Sequence, residues 1–389
     1  MSRDIYFDNS ATTPIDPAVA QAMDPWIDEY FGNPSSMHRI GRQAREAVEL
    51  ARHQVAQLIN AKAEEILFTG SGTEADNTAI VGLFELAGGQ PFHLITSAIE
   101  HPAILETCRY LERRGAEVTY LSVDSSGMVD PEELASAFEP HTRLVSIMTA
   151  NNVVGTIQPI AELARITRDH GALFHTDAVQ AAGRIPLDVH VQPIDLLSLS
   201  AHKIYGPKGC GALYVRQGIK LEPLLHGGGQ ELGRRSATEN VIGIVGFGVA
   251  ADIARVEMSR ESARLVQLRD RLIRGIVDTI PNAYLIGHPF RRLPGHICIG
   301  FAGQEGEAIK MLLALDQEGI AISSGSACSS NHATEASYVL KAMGFDPLRA
   351  RGGLRITLGR FNTEKEVNEF LEVIPRVVDS MRTITSRAV

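Results

Sequence analysis

The chain has 389 residues, of which 44% are hydrophobic and 21% charged, and its formal net charge is -9 at pH 7. This length is too great for one small core and favours two domains with a buried site, while the composition is ordinary for a globular enzyme. The negative charge argues against a nucleic acid or an anionic membrane surface as the main partner, and so favours a small substrate.

The sequence lacks the features of a targeting segment. No signal-peptide core or Arg- and Ser-rich transit segment follows Met1, and no long apolar run occurs. We therefore expect a cytoplasmic location and no membrane partner. The cysteines Cys108, Cys210, Cys298 and Cys328 stand singly, unlike those of metal, redox or disulfide frameworks. We predict no metal site, and a functional cysteine would act as a thiol.

Apolar strands alternate with helical patterns between about residues 35 and 215. Apolar residues recur on one helical face from Met37 to Ile59. The strand segments are, in chain order, EILFTG, FHLITS, EVTYLSV, RLVSIMT, ALFHTDAV, DLLSLSAH and GALYV. This alternation predicts an α/β fold with a mainly parallel seven-stranded sheet, whose ligands bind at the carboxyl ends of the strands.

The second half of the chain has a different pattern. From Glu239 to about Ile280 it is helical over an unusual length, and the glycines near its start are the expected kinks of a domain connector. The later strands HICIGF, IAISS and LRITLG, with helices between them, predict a smaller α+β domain. We place the large domain at residues 14–255 and the small domain at residues 1–13 and 256–389.

The segment FTGSGTEADNTAI predicts a strand, a glycine turn and a helix that starts near Thr73. Backbone N–H groups at a helix start bind anions, so Gly72 and the Thr73 hydroxyl would suit a phosphate. The GxGxxA pattern also resembles a dinucleotide-binding turn, with Glu100 where a ribose carboxylate is expected. A plain strand-to-helix turn is the third interpretation.

Polar side chains also follow other strands. Asp177, in FHTDAVQ, needs a partner, which is either a protonated ring nitrogen or the N–H groups of a helix start. Asn152, in TANNVVGT, faces a ligand or builds a turn. His101, in SAIEHPA, is by itself more typical of a surface or core histidine.

Three further segments carry reactive or charged side chains. LLSLSAHKIYGPKG ends an apolar strand on Lys203, which either reaches solvent or is kept for its chemistry, because a buried ammonium is costly. In GGLRITLGRF, an ion pair is the default for Arg355. Cys328 lies among small polar residues in ISSGSACSSNHAT, unlike Cys298 in HICIGF. The HGGG segment at His226 resembles an esterase loop, but no GxSxG motif accompanies it.

Together these features indicate one ligand with a phosphate, a ring nitrogen that can be protonated and an aldehyde for a lysine. Pyridoxal 5′-phosphate has all three. On this interpretation Lys203 is the Schiff-base lysine, placed at a strand end where desolvation makes its amine nucleophilic.

The motifs DNSATTP, GTEADN, EHPA, NNVVGT, HTDAVQ, SAHKIYGPKG, HGGGQE, RSAT and SSGSACSS closely resemble, in this order, those of the cysteine desulfurases of the NifS/IscS type. The resemblance covers essentially the whole chain. It implies the aspartate aminotransferase-like fold (fold type I of the pyridoxal-phosphate enzymes) and a homodimer with its site at the subunit interface. It also implies that sulfur is removed from L-cysteine, giving L-alanine and an enzyme persulfide that is passed to an iron–sulfur scaffold or another sulfur acceptor.

The same resemblance implies roles for individual residues. Lys203 would bind the cofactor and remove the substrate Cα proton, Asp177 would pair with the pyridine nitrogen, and His101 would stack on the ring and assist proton transfer. Gln180 would contact the phenolic oxygen, and Cys328 would take the sulfur. The implied phosphate ligands are Gly72, Thr73, Ser200 and His202, with Thr238 from the other subunit. The substrate carboxylate would be held by Arg355 and by Asn152, which the resemblance also places in the cofactor site.

Other activities stay open on the sequence alone. A selenocysteine lyase or a cysteine-sulfinate desulfinase would share the scaffold. An NAD-dependent oxidoreductase is supported only by the glycine turn and Glu100, and it leaves Lys203 and Asp177 unexplained. A non-catalytic sulfur-assembly partner would not need Lys203 and Cys328 together.

Overall fold

The computed structural model describes residues 4–325 and 336–387, with side chains through Arg382. The strands are β1 (Ile5–Tyr6), β2 (Ile66–Thr69), β3 (His93–Ser97), β4 (Glu117–Leu121), β5 (Thr142–Ser146), β6 (Leu173–Asp177), β7 (Leu196–Ser200), β8 (Gly211–Val215), β9 (Ala283–Leu285), β10 (His296–Phe301), β11 (Ile320–Ala321), β12 (Ser323–Ser324) and β13 (Leu354–Thr357).

The helices complete the element order. They are α1 (Pro17–Met23), α2 (Pro25–Asp28), α3 (Arg39–Leu58), α4 (Gly72–Leu86), α5 (Pro102–Glu112), α6 (Pro131–Ser136), α7 (Ile160–Asp169), α8 (Val241–Val277), α9 (Ala308–Gln317), α10 (Tyr338–Ala342) and α11 (Glu364–Arg387). In the described part of the chain, no helix combines the length and the apolar composition needed to cross a membrane.

A seven-stranded sheet forms the centre of the first part of the chain, in the order β2-β8-β7-β6-β5-β3-β4. The run from β7 to β4 is parallel, whereas β8 is antiparallel to both of its neighbours. All seven predicted strands lie in this sheet, so the predicted mainly parallel α/β architecture is confirmed. Because β3, β5, β6 and β7 run the same way, the segments that follow them meet at one edge.

Helices cover both faces of this sheet because its strands are apolar on both sides. Successive residues of one strand belong to different cores: Leu94 packs with α4 and α5, and Ile95 packs with α3, α7 and the first half of α8. The strand sequences therefore read as continuous apolar runs. The sheet is a rigid layer whose edge can hold polar side chains in place.

A second core surrounds the four-stranded sheet β12-β13-β10-β9, which is antiparallel throughout. Strand β1 lies beside it and pairs in parallel with β11, so that Ile5 is opposite Ile320. The second half of α8, with α9 and α11, covers this core. The three predicted segments HICIGF, IAISS and LRITLG supply β10 to β13, which confirms the α+β character of this part.

Helix α8 has 37 residues and contributes to both cores. The proposed division at residues 255 and 256 falls inside this one helix, so the two parts share it. The early glycines do not break it. A Cβ at Gly248 would lie 2.6 Å from the Cα of Ala51 in α3, so this glycine lets two helices approach closely.

Helix α9 offers a test of how strongly burial stabilises the second core. Leu315 is fully buried there, while Leu313, two residues earlier on the same helix, is 55% exposed. Leu315→Ala should lower the free energy of unfolding by about 2–5 kcal/mol, because it removes packed methyl groups and leaves a cavity. Leu313→Ala should cost less than about 1 kcal/mol. Equal losses in urea denaturation would contradict the packing described.

Candidate active site

A cavity of about 480 Å³ opens where the segments after β2, β3, β5, β6 and β7 converge. Ten of the twelve predicted site residues line it: Gly72, Thr73, His101, Asn152, Asp177, Gln180, Ser200, His202, Lys203 and Arg355. A larger cavity of about 550 Å³, between α3 and residues 231–239, contains none of them. The convergence of side chains, and not the volume, identifies the candidate site.

Lys203 reaches this cavity from the end of β7. The strand ends at Ser200, and a single 3₁₀ turn, Ala201–Lys203, follows it. The Lys203 Nζ donates to the carbonyl oxygens of Ser10, at 2.5 Å, and Ala11, at 2.7 Å. The ammonium is therefore held by backbone acceptors while it lines the cavity, which answers why an apolar strand leads to a lysine.

The turn between β2 and α4 forms one end of the cavity. Ser71 caps α4 by accepting a hydrogen bond from the N–H of Glu74 at 3.0 Å. A Cβ at Gly72 would lie 2.8 Å from Val179 Cγ2 and 3.3 Å from the Cβ of Ser200, so a larger residue would force these neighbours to shift. The remaining N–H groups of the helix start provide an anion site.

The same end carries an imidazole that is neutral at pH 7. Burial, together with the nearby ammonium groups of Lys203 and Lys208, lowers the pKa of His202 to about 4. Its Nδ1 lies 3.1 Å from the hydroxyl of Thr12. A neutral ring can offer one N–H to a phosphate without adding a charge.

Asp177 closes β6. Its Oδ1 accepts the N–H of Val179 at 2.9 Å, which is the helix-cap contact weighed from the sequence, and the residue also lines the cavity. Burial raises the pKa of Asp177, while electrostatic interactions with His101 and Lys203 oppose this shift. A cation placed beside the carboxylate would stabilise its ionised form.

His101 also lines the cavity, as the N-cap of α5. Its Nδ1 accepts the N–H of Ala103 at 3.1 Å, which leaves the other ring nitrogen to carry the proton of the neutral ring. Burial lowers the pKa of His101, Lys203 lowers it further, and Asp177 raises it. The histidine is thus a neutral group at the cavity wall near neutral pH.

Arg355 enters the cavity from β13 of the second core. Its Nη2 donates to Asp8 Oδ1 at 2.9 Å, and its Nη1 donates to the carbonyl oxygen of Asn152 at 3.1 Å. The ion pair expected for a strand arginine is therefore present, and the same guanidinium lines the cavity. The site thus combines residues from both cores.

Two predicted residues are not among the described residues that line this cavity. Thr238 lines a different pocket, with Gly70 and Arg235, and its assignment to the other subunit's site stays a prediction. Cys328 lies outside the described residues. Ser323, five positions before it in sequence, lines the cavity.

A model of the aminotransferase class-V family matches residues 5–370. The chain belongs to this family. It is 49% identical over 385 residues to the cysteine desulfurase IscS of Dictyoglomus turgidum, with 99% of this chain and 97% of the relative covered. A solved NifS-like protein has a TM-score of 0.90 and 39% identity, over 97% of this chain and 99% of its own. SspA, solved in complex with cysteine, has a TM-score of 0.83 and 36% identity to this chain. The match covers 92% of this chain and 100% of SspA.

The cavity fits pyridoxal 5′-phosphate, the cofactor of class-V aminotransferases. A lysine, a strand-end carboxylate and a helix start lie around one space. The carboxamide oxygen of Gln180 supports the fit, because it is buried at the wall and has no hydrogen-bond partner among the described residues. In residues 4–325 and 336–387, no cluster of three or more His, Cys, Asp or Glu side chains could hold a metal ion.

The structure adds site residues that the sequence analysis did not identify. Asp76 is buried at the cavity wall, 3.6 Å from Nε2 of His175. Burial raises its pKa well above the usual value, and the charge of Asp177 raises it further. Asp76 is four residues after Gly72 on α4, hence on the same helix face, and this spacing was the available signal.

The dinucleotide interpretation of Glu100 is wrong. This side chain is fully buried behind the cavity and does not line it. Its carboxyl group accepts the N–H of Met148 at 3.0 Å and the hydroxyl of Ser97 at 2.6 Å. No ribose can reach it, so its place after β3 reflects internal hydrogen bonding.

Burial raises the pKa of Glu100 to about 8, although the hydrogen bonds from Ser97 and Met148 oppose the shift. Because this pKa lies above the usual 4.5, the stabilising contribution of the protonated group is complete below 4.5 and is lost as the pH rises through 8. Between pH 6 and pH 9 the unfolding free energy should fall in both the wild type and Glu100→Gln. The fall should be larger in the wild type, by on the order of 2–3 kcal/mol.

Urea denaturation at both pH values measures this difference. Glu106→Gln is the matched control, because Glu106 is on the exposed side of α5 and its side chain is 66% exposed. That control should keep the pH dependence of the wild type. The same dependence in Glu100→Gln would show that Glu100 is ionised in the folded protein throughout this range.

Proposed function

We propose that this chain is a pyridoxal-phosphate-dependent cysteine desulfurase, which converts L-cysteine into L-alanine and leaves the sulfur on Cys328. The observation that carries the proposal is the single cavity in which Lys203, Asp177 and Arg355 meet, in a chain 49% identical to a protein named as a cysteine desulfurase. SspA, a structural neighbour, was solved with cysteine bound, which favours cysteine over selenocysteine or cysteine sulfinate as the substrate.

The bound cofactor would supply an aldehyde and a ring that accepts the electron pair left when a bond to the substrate Cα breaks. Asp177 would hold a proton on the ring nitrogen through a charge-assisted hydrogen bond. Gly72 and the N-terminal turn of α4, with Thr73, Ser200 and His202, would hold the phosphate. Gln180 would meet the phenolic oxygen.

Lys203 and His101 would handle protons. The amine of Lys203, when neutral, would take the proton from the substrate Cα and later return one during formation of alanine. His101 is neutral near pH 7 because burial and the charge of Lys203 lower its pKa, so it could accept a proton from the substrate thiol or pass one on. Asn152 and Arg355 would fix the substrate carboxylate.

The sulfur would move to Cys328. Its thiolate would attack the substrate sulfur, and the bond between this sulfur and the substrate carbon would break. Alanine would then be released, and Cys328 would carry the sulfur as a persulfide. The three other cysteines are buried. Burial raises the pKa of Cys210 and of Cys298 to about 12 and raises that of Cys108 as well, so none of them supplies a thiolate at neutral pH.

A homodimer is part of the proposal. Several large apolar side chains are exposed, among them Phe31 at 77%, Met37 at 88% and Leu232 at 84%, and a partner subunit would cover such groups. The position of Thr238 outside the cavity also fits a contribution to the partner's site. The free thiols of the described cysteines fit a cytoplasmic enzyme, and the persulfide would pass to an iron–sulfur scaffold or another acceptor protein.

Lys203→Ala should abolish alanine release from L-cysteine, because both the cofactor attachment and the proton acceptor are lost. Borohydride reduction and peptide mapping of the wild type should find the cofactor on the peptide that contains Lys203. Lys208→Ala, an exposed lysine of the same loop, is the control and should keep most of the activity. Normal turnover by Lys203→Ala would contradict the assignment.

Cys328→Ser should keep the cofactor but lose production of alanine and sulfide together, because a serine hydroxyl is a far poorer nucleophile than a thiolate. We expect a loss of at least about 100-fold in kcat. In the wild type, mass spectrometry after brief cysteine treatment without reductant should find one added sulfur on the Cys328 peptide. Cys298→Ser is the control: it also replaces a thiol by a hydroxyl, but at a cysteine that receives no sulfur in the proposal, so it should keep the activity. Sulfur found only on a cysteine other than Cys328 would overturn the proposal.

A further inference from the structure

Arg355 faces the cavity with a carboxylate of its own chain already bound. The Arg355 Nη2 donates to Asp8 Oδ1 at 2.9 Å. The side chains are only 2% exposed for Arg355 and 18% exposed for Asp8, and both line the cavity. The guanidinium therefore has an internal counter-ion before a substrate arrives.

The contact uses one of the two N–H groups of the nitrogen that both carboxylate-binding edges of the guanidinium share. A carboxylate binds a guanidinium best through two parallel N–H···O bonds. The two edges that offer such a pair are Nε with Nη2 and Nη1 with Nη2, so both include Nη2. Asp8 accepts from this atom, and the carbonyl of Asn152 accepts from Nη1 at 3.1 Å. The buried Nε of Arg355 has no hydrogen-bond partner in the described part of the chain.

The charges lead to the same competition. Asp8 and Arg355 together are neutral, so a substrate carboxylate that joined them would add a negative charge at a largely buried position. Such a charge is costly without its own cation. The substrate carboxylate must therefore displace Asp8 from the guanidinium or share it at reduced strength.

Asp8 is held beside Arg355 by its backbone and is not a flexible surface group. It forms a parallel bridge with Thr357, two residues after Arg355 on the same strand segment. The N–H of Thr357 donates to the carbonyl of Phe7 at 2.7 Å, and the Tyr6 hydroxyl donates to the carbonyl of Asp8 at 3.0 Å. The carboxylate is thus kept within reach of Arg355 whenever the substrate leaves.

We propose that Asp8 is a positioning residue that competes with the carboxylates of substrate and product for Arg355, and so weakens the binding of both. The inference rests on the proposed function, in which Arg355 receives the substrate carboxylate. The bound and free forms of the site then differ by an exchange of one carboxylate for another. Since substrate binding in the ground state is weakened and no reacting atom is touched, KM should change and kcat should not.

Asp8→Asn tests the proposal, because it removes the charge and keeps an oxygen that can accept from Arg355. In the holoenzyme, both KM for L-cysteine and the calorimetric Kd for L-alanine should fall by about five- to tenfold, while kcat stays within about twofold. Asp8→Ser removes the negative charge and also shortens the side chain, so it should lower KM for L-cysteine and Kd for L-alanine as well. The second variant keeps the test decisive if the first is poorly folded.

Asp16→Asn is the matched control. Asp16 binds Arg360 at 2.8 Å in a partly buried pair that does not line the cavity, so its loss should leave both constants unchanged. Constants that rise or stay the same in both Asp8 variants would overturn the role of Asp8. A wild type that makes no alanine from L-cysteine would contradict the proposed function, and the L-alanine titration would still decide the competition.

Discussion

The short segment from Asp8 to Thr13 supplies acceptors to the charged side chains of the site, and much of the arrangement depends on it. Asp8 binds Arg355, and the carbonyl oxygens of Ser10 and Ala11 accept from Lys203. The Ser10 carbonyl also accepts from Nε2 of Gln180. Buried cations need such acceptors, because each unpaired charge or N–H group in a dry site costs several kcal/mol.

This segment also joins the two cores. Its backbone bonds to the end of β13 at Thr357 on one side and to the carbonyl of His202, after β7, on the other. The sheet edge of the first core and the strand end of the second are thus held around one space. The site is built between two rigid layers, and the connection is made by backbone hydrogen bonds, which are specific in direction.

Much of the fold was predictable because its strands are short apolar runs between turn residues, a pattern that depends only on local sequence. The segments around Ile95 and Leu197 are examples: both are apolar on successive residues, which indicates a sheet covered on two faces. Strand β9 was missed, since its three residues are only half-buried and lack such a run. The close approach of α3 to Gly248 of α8 was not predicted, because it is a tertiary contact.

The candidate site was predictable where a polar residue interrupts an apolar strand end, as at Asp177 and Lys203. Asp8, Asp76 and His175 gave no comparable signal. Asp8 matters because of Arg355, which is 347 positions away, and His175 reads as one polar residue within a strand. Their importance comes from burial and from neighbours that are distant in sequence, which a pattern of local spacing does not contain.

The pairing of β1 with β11 has a consequence for the order of events during synthesis. Ile320 is translated 315 residues after its partner Ile5, an interval of roughly 15–60 s at about 5–20 residues per second. The first core can form in that interval, while the segment from Asp8 to Thr13 still lacks β13. A nascent chain can therefore hold the seven-stranded sheet while its site is unfinished, and the site is completed only after β13 has been made.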